Sequence, residues 1–192
     1  MQTSKIKNLV SRVSGETLIE IMIAVSVLMI ALAPASALYI DSIKSTAANR
    51  DYLIVEALAE EGIELVKNIR DTNFLRFSAK AEECWNAKLE ADISNCDTKT
   101  IEKGSYKIST NAGLEIMTVA FDAAKPSDVY KLKLDSTGLY SHNSGIDTNF
   151  YREIKLEKLD TNSMFVSSRV FFKSGAKLKD IFRTTVLTST LK

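Results

Sequence analysis

From Ile21 to Ile40 the chain carries twenty residues without a charge, and this run limits what the rest of it can be. At about 1.5 Å of rise per residue it makes about 30 Å of helix, roughly the hydrocarbon thickness of a bilayer. The run therefore reads as a membrane-spanning helix. Glu20 stands at its start. A carboxylate in such a helix costs about 2.5–3.5 kcal/mol when it lies near the bilayer centre, so its presence points to a task and to a partner of opposite charge. Lys5, Lys7 and Arg12 precede the run and no acidic residue lies among them. Basic residues flanking a first hydrophobic helix stay on the cytoplasmic side, which puts the chain after Ile40 outside the cytoplasm.

The chain as a whole has ordinary proportions for one globular domain plus one hydrophobic segment: of 192 residues, 45% are hydrophobic and 26% charged. Without the three N-terminal cations, 22 basic residues stand against 24 acidic ones, and no basic stripe marks a nucleic-acid footprint. Cys84 and Cys96 fall in the part expected outside the cytoplasm, where thiols tend to be oxidised. A disulfide between them closes a loop of about 13 residues and contributes about 3 kcal/mol in the chain-entropy model. Two unrelated free thiols are the alternative. A metal site is not expected, because structural zinc takes three or four Cys or His ligands and the chain offers only these two and His142.

In chain order, residues 1–15 are short, polar and basic and end at Gly15, the first glycine; they read as a leader. Ala35-Ser36-Ala37 allows the rival reading of an ordinary secretory signal, against which stand the length of the apolar run and Glu20. Beyond Tyr39 the apolar residues become periodic: Ile43, Ala47, Ile54, Leu58, Leu65 and Ile69 fall near one helical face, with charged residues between them. The pattern predicts one helix over Glu16–Arg70, kinked or loosened at Pro34, with Gly62 a milder interruption. Asp71-Thr72-Asn73 reads as its stop. A connecting region follows to residue 103, anchored by Phe74, Leu75, Phe77 and Trp85, with room for a short helix over Trp85–Ile93 between the cysteines.

After Gly104 the period changes to two. Strands are predicted at Tyr106–Thr110, Leu114–Val119 and Val129–Leu134, joined by turn residues, and at Tyr151–Leu159, Phe165–Lys173 and Asp180–Leu191, which form an antiparallel meander. Ile154 and Leu156 alternate with Lys155 and Glu157, so one face is apolar, and the striped half of the long helix is its natural cover. The fold class expected is α+β: a helix packed on an antiparallel sheet. No catalytic motif emerges, with no phosphate loop, no H-E-x-x-H and no calcium loop, and no cofactor is expected. His142, in Ser141-His142-Asn143-Ser144-Gly145, reads as a solvated loop histidine.

Gly15-Glu16-Thr17-Leu18-Ile19-Glu20-Ile21-Met22-Ile23-Ala24 closely resembles the N-terminal signature of type IV prepilins and type II secretion pseudopilins. The segment Leu58–Asp71 and the stretch Arg152-Glu153-Ile154-Lys155-Leu156 are also similar to pilin-like proteins. The resemblance implies cleavage after Gly15 by a membrane prepilin peptidase, methylation of the new amino terminus at Glu16, and pairing of Glu20 with a neighbouring subunit's amino terminus in a filament. Glu16 departs from the family, which usually has phenylalanine there, and points to a minor subunit. The implied layout is a leader over 1–15, a membrane and filament-core helix over 16–40, and a head over 41–192, divided into an amphipathic helix (41–70), a connection (71–103) and a sheet (104–192). Implied partners are other pilin or pseudopilin subunits, the peptidase, an inner-membrane assembly platform and, before assembly, membrane lipid. The alternative is a membrane-anchored or secreted binding protein with no filament role.

Overall fold

The computed structural model describes residues 16–88, 96, 100–109, 113–116, 121–122, 126–174 and 177–190. The leader with Gly15, the turn at Asn111-Ala112, Met117–Val119 and most of the loop between the cysteines lie outside these residues. Two compact units divide at Asn49 and Arg50.

The first unit is helical. Helix α1 (Glu16–Arg76) begins here and is uninterrupted at Pro34. All side chains from Leu18 to Arg50 are exposed, apolar ones included. Hydroxyls within this apolar surface turn back on their own backbone: Ser26 Oγ donates to the Met22 carbonyl at 2.7 Å and Ser36 Oγ to the Leu32 carbonyl at 2.9 Å.

The second unit pairs the remainder of α1 with a seven-stranded sheet: β1 (Gly104–Ser109), β2 (Gly113–Ile116), β3 (Lys131–Leu134), β4 (Tyr140–Ser141), β5 (Ile146–Lys158), β6 (Ser163–Ser174) and β7 (Lys177–Thr188). All pairings are antiparallel. The architecture is α+β and pilin-like, as the sequence predicts. The antiparallel meander expected of the last three strands is β5–β6–β7. Along the opposite edge of β5, two short strands lie end to end: β1 pairs with its C-terminal half (Tyr106 opposite Ile154) and β3 with its N-terminal half (Lys131 opposite Tyr151). The 13 residues of β5 give an edge long enough for both. Val129 and Tyr130, expected in β3, form instead a 3-10 turn capped by the Ser127 hydroxyl.

Helix α1 continues past the expected stop to Arg76. Asn73 does not cap the helix. Its side chain is fully buried, and its amide donates outward to the carbonyls of Trp85 (3.1 Å) and Ala87 (2.7 Å), leaving the backbone free to stay helical. Of the four expected anchors, Phe77 and Trp85 are buried and Phe74 half-buried, but Leu75 points into solvent. The short helix α2 (Ala81–Cys84) ends at the first cysteine, and Trp85–Ala87 form a turn and a single bridge to Thr100 where a helix was expected. Cys84 and Cys96 are joined by a disulfide and pack with Phe77 and Ala87.

The interface between α1 and the sheet contains two apolar clusters. Val55, Leu58 and Ala59 meet Leu132, Phe150, Val170 and Phe172; farther along, Ile63, Val66 and Ile69 meet Ile154, Leu156, Val166 and Leu187. Between them on the helix is Gly62, and it has to be small. A Cβ there would sit 2.2 Å from Ser168 Oγ and 2.8 Å from Ile154 Cδ1. Gly62→Ala is therefore expected to lower stability by about 1–3 kcal/mol through overpacking, and Ser168→Gly in the same chain to restore part of it. Urea unfolding of the two variants checks this; an unchanged midpoint for Gly62→Ala would contradict the close approach.

Candidate functional site

The candidate site is the N-terminal helix together with the contacts that fix its second half to the sheet. Glu20 sits among Ile19, Ile21 and Ile23 on an exposed, otherwise apolar stretch, and makes no ion pair among the described residues. This chain by itself supplies no described cation for it. Pro34 lies one helical turn beyond Ile30, whose carbonyl loses its usual helical donor there. Of the candidate site residues from sequence that are described, only Cys84 and Cys96 come together.

The charged contacts between helix and sheet were not foreseen. On β5, Phe150, Arg152, Ile154 and Leu156 all face α1, since alternate residues share a face. Arg152 is thus a guanidinium in an apolar row, only 1% exposed. Its Nη1 donates to Glu61 Oε2 at 3.0 Å and to the Leu58 carbonyl at 3.3 Å, while Nε has no partner. Burial pushes its pKa down and the Glu61 carboxylate opposes that shift. Arg183 on β7 makes a second tie, pairing with Glu56 and, at 3.6 Å, with Glu60. The signal for Arg152 was present in the sequence: the period of two that aligns Ile154 and Leu156 also aligns residue 152.

His142 is not the solvated loop residue expected. The turn after β4 folds it inward, Nδ1–H donates to the Lys131 carbonyl at 3.2 Å, and Nε2 is buried without a partner. Burial, with the positive charge of Arg152 second, lowers its pKa to about 4. An adjacent guanidinium and a desolvated ring both oppose a second positive charge.

The comparisons bear on the first unit. Residues 10–36 match the model of the prokaryotic N-terminal methylation motif, which supports the type IV pilin and pseudopilin-like prepilin signature. No curated protein and no solved structure matches the chain. The motif lies on a helix long and apolar enough to cross a membrane, which supports a membrane-anchored, prepilin-type precursor.

Two measurements follow from the buried charges. Glu61→Ala leaves the Arg152 guanidinium buried with only a carbonyl, and is expected to cost about 2–3 kcal/mol; the value falls below that of a fully buried pair because Glu61 is 41% exposed. Arg152→Met, which removes the charge and keeps the volume, is expected to cost less than Glu61→Ala, and the reverse order in denaturant titrations would refute the argument. For His142 the unfolded chain binds the proton more readily, so stability is complete above about pH 6.5 and falls as the pH drops toward 4. The loss is on the order of 3 kcal/mol. Comparing melting temperatures of wild type and His142→Gln across that window isolates it; identical pH profiles would show that the imidazole does not contribute.

Proposed function

We propose that the chain is a structural subunit of a type IV pilus or a secretion pseudopilus, made as a precursor and assembled through its N-terminal helix. The observation that carries this reading is the coincidence of the methylation motif at residues 10–36 with a helix whose apolar side chains are exposed from Leu18 to Ile40. Such a surface must be covered, by lipid before assembly and by other helices after it.

Residues 1–15 act as the leader, and a prepilin peptidase removes them after Gly15. The new amino terminus at Glu16 is the site for methylation. The basic leader stays in the cytoplasm while the second unit lies outside it, first tethered to the inner membrane and then carried in a cell-surface or periplasmic filament. The assembly platform in the membrane and other pilin or pseudopilin subunits are the partners.

Glu20 supplies register. A carboxylate left unpaired in an apolar bundle is heavily penalised, whereas one meeting a cation is tolerated, so helices stack only where a neighbour's amino terminus reaches it. The missing hydrogen bond at Pro34 loosens the helix and lets it adapt from lipid to neighbours. In this role the protein has no catalytic task. The alternative, an anchored or secreted binding protein, differs in how the chain is processed.

Mass spectrometry of the protein from its native membrane is expected to find the amino terminus at Glu16. A terminus at Leu38 supports signal-peptide cleavage, and an uncleaved leader supports a simple anchor; either would reject the proposal. Glu20→Ala is expected to leave insertion and cleavage intact and to reduce recovery in sheared filaments by at least about tenfold, since loss of a pair worth a few kcal/mol is multiplied over successive subunits. Normal incorporation of that variant would remove Glu20 from the assembly role.

A further inference from the structure

Strand β7 (Lys177–Thr188) closes one side of the sheet. Among the described residues it pairs only with β6, in a register that runs without a shift from Ser174 opposite Lys177 to Ser163 opposite Thr188. Just beyond the strand, the Ser189 N–H donates to the Asn162 carbonyl at 2.8 Å. Backbone groups of an antiparallel strand point alternately to either side, so the odd-numbered residues from Ser189 back to Lys177 bond toward β6. Leu178, Asp180, Phe182, Thr184, Val186 and Thr188 therefore turn their N–H and C=O groups away from the sheet. At 12 residues, this is a long edge to leave without a partner strand.

Edges are ordinarily guarded by exposed charge, proline or a bulge. Strand β7 has neither proline nor bulge, and Lys177 and Lys179 guard only its first part. The charges in its middle are engaged within the chain: Arg169 Nε donates to Asp180 at 2.7 Å, and Arg183 reaches across to Glu56 and Glu60 on α1. From Thr184 to Thr188 there is no charge at all. Ile181 and Leu187 are buried in the clusters beneath α1, so the even-numbered side chains occupy the opposite face. On that face Phe182 is 59% exposed and Val186 51%, which leaves two apolar side chains beside the open backbone.

We propose that β7 pairs antiparallel, edge to edge, with β7 of a second copy of this chain, about a twofold axis at Thr184. The occupant follows from the strand's own sequence. Antiparallel pairing of outward-bonding residues with one another permits a twofold axis at any residue of the strand. An axis at Ile181 sets Lys179 against Arg183, and one at Arg183 sets that arginine against its own copy, both of them like-charge pairs that destabilise a sheet. With the axis at Thr184 no charged residue opposes another: Arg183 meets Thr185, and Asp180 meets Thr188. This register alone sets Phe182 of one copy against Val186 of the other, twice over, a stabilising pair of aromatic and β-branched side chains. Ile181 likewise falls opposite Leu187. The α1 segments of the two second units then lie on one face of a joined sheet and run in opposite directions. The contact is thus separate from the helix stacking proposed above and stands without it.

Thr184→Cys and Thr188→Cys test the register, since the native cysteines are already joined to each other. In the proposed pair the two copies of Thr184 are adjacent, whereas Thr188 lies opposite Asp180, which leaves its two copies about 27 Å apart. The full chain in detergent micelles under mild oxidation is expected to give at least about tenfold more disulfide-linked dimer with Thr184→Cys than with Thr188→Cys, because the bond needs closely spaced Cα atoms. Val186→Lys changes an exposed side chain and leaves the packing beneath α1 intact. Added to Thr184→Cys, it is expected to lower the dimer yield about tenfold, the share of the two pairs between Phe182 and Val186. Absence of dimer with Thr184→Cys, equal yields from the two cysteine variants, or a yield unmoved by Val186→Lys each overturn the proposal. A Thr184→Cys chain that cross-links in its native membrane to a different protein and not to itself also overturns it, and assigns the edge to a foreign strand.

Discussion

The second unit depends on a polar layer set into an otherwise apolar interface. Where α1 crosses β5 and β6, Gly62 lies against Ser168 and Arg152 reaches Glu61 and the Leu58 carbonyl. On one side of this layer is the cluster around Phe150 and Val170, on the other the cluster around Ile154 and Val166. Apolar contacts alone tolerate sliding, because one methyl-bearing side chain packs against another with little directional preference. A buried guanidinium does not tolerate it: shifted by a turn, it would lose its carboxylate and be left uncompensated. The two clusters supply the attraction, and Arg152, Glu61 and Gly62 fix the register in which it operates.

The two units meet opposite physical demands. From Arg50 onward α1 has a face that can be covered within the chain, and Val55, Leu58, Ala59, Ile63, Val66 and Ile69 are buried accordingly. From Leu18 to Ile40 the apolar residues go all round the helix and none is buried by this chain. A helix of that kind finds its cover in a membrane or in other helices. Backbone groups are satisfied within the helix itself, and Ser26 and Ser36 satisfy their hydroxyls by bonding back to it, as an apolar environment requires. The match to a methylation motif falls on this same segment.

Away from the helix, long-range polar contacts set the finer geometry. Asn73 joins the end of α1 to the turn that opens the disulfide loop, and the Cys84–Cys96 bond closes that loop. These ties order Trp85 and Asn86 beside the β5–β6 turn, although the three segments are far apart in sequence. His142 is drawn in by a single carbonyl on β3 and then sits in the positive field of Arg152. Each is a side chain whose role depends on a partner that local composition does not reveal.

Much of the architecture was legible in the residues. The charge-free run, the leader glycine and Glu20 gave the membrane helix and its signature, because hydrophobic length and a short motif are local properties. The change of period after Gly104 gave the strands, and the alternation in β5 that aligns Ile154 with Leu156 aligns Arg152 with them as well. Local reading failed where a residue was defined by distant contacts: Asn73 looks like a helix stop, Leu75 like an anchor and the loop residue His142 like a solvated one, and none behaves so. The pairing of β1 and β3 along one edge of β5 was also beyond local reading, since strand order depends on which edges are free once the chain has folded back. The sequence by itself determined a membrane-length helix carrying one acidic residue at its start, because charge and hydrophobicity along a chain fix what can enter a bilayer. Only the tertiary structure decided which buried polar groups are satisfied and which remain open, because that depends on three-dimensional neighbours brought together across more than ninety residues, as Arg152 and Glu61 are.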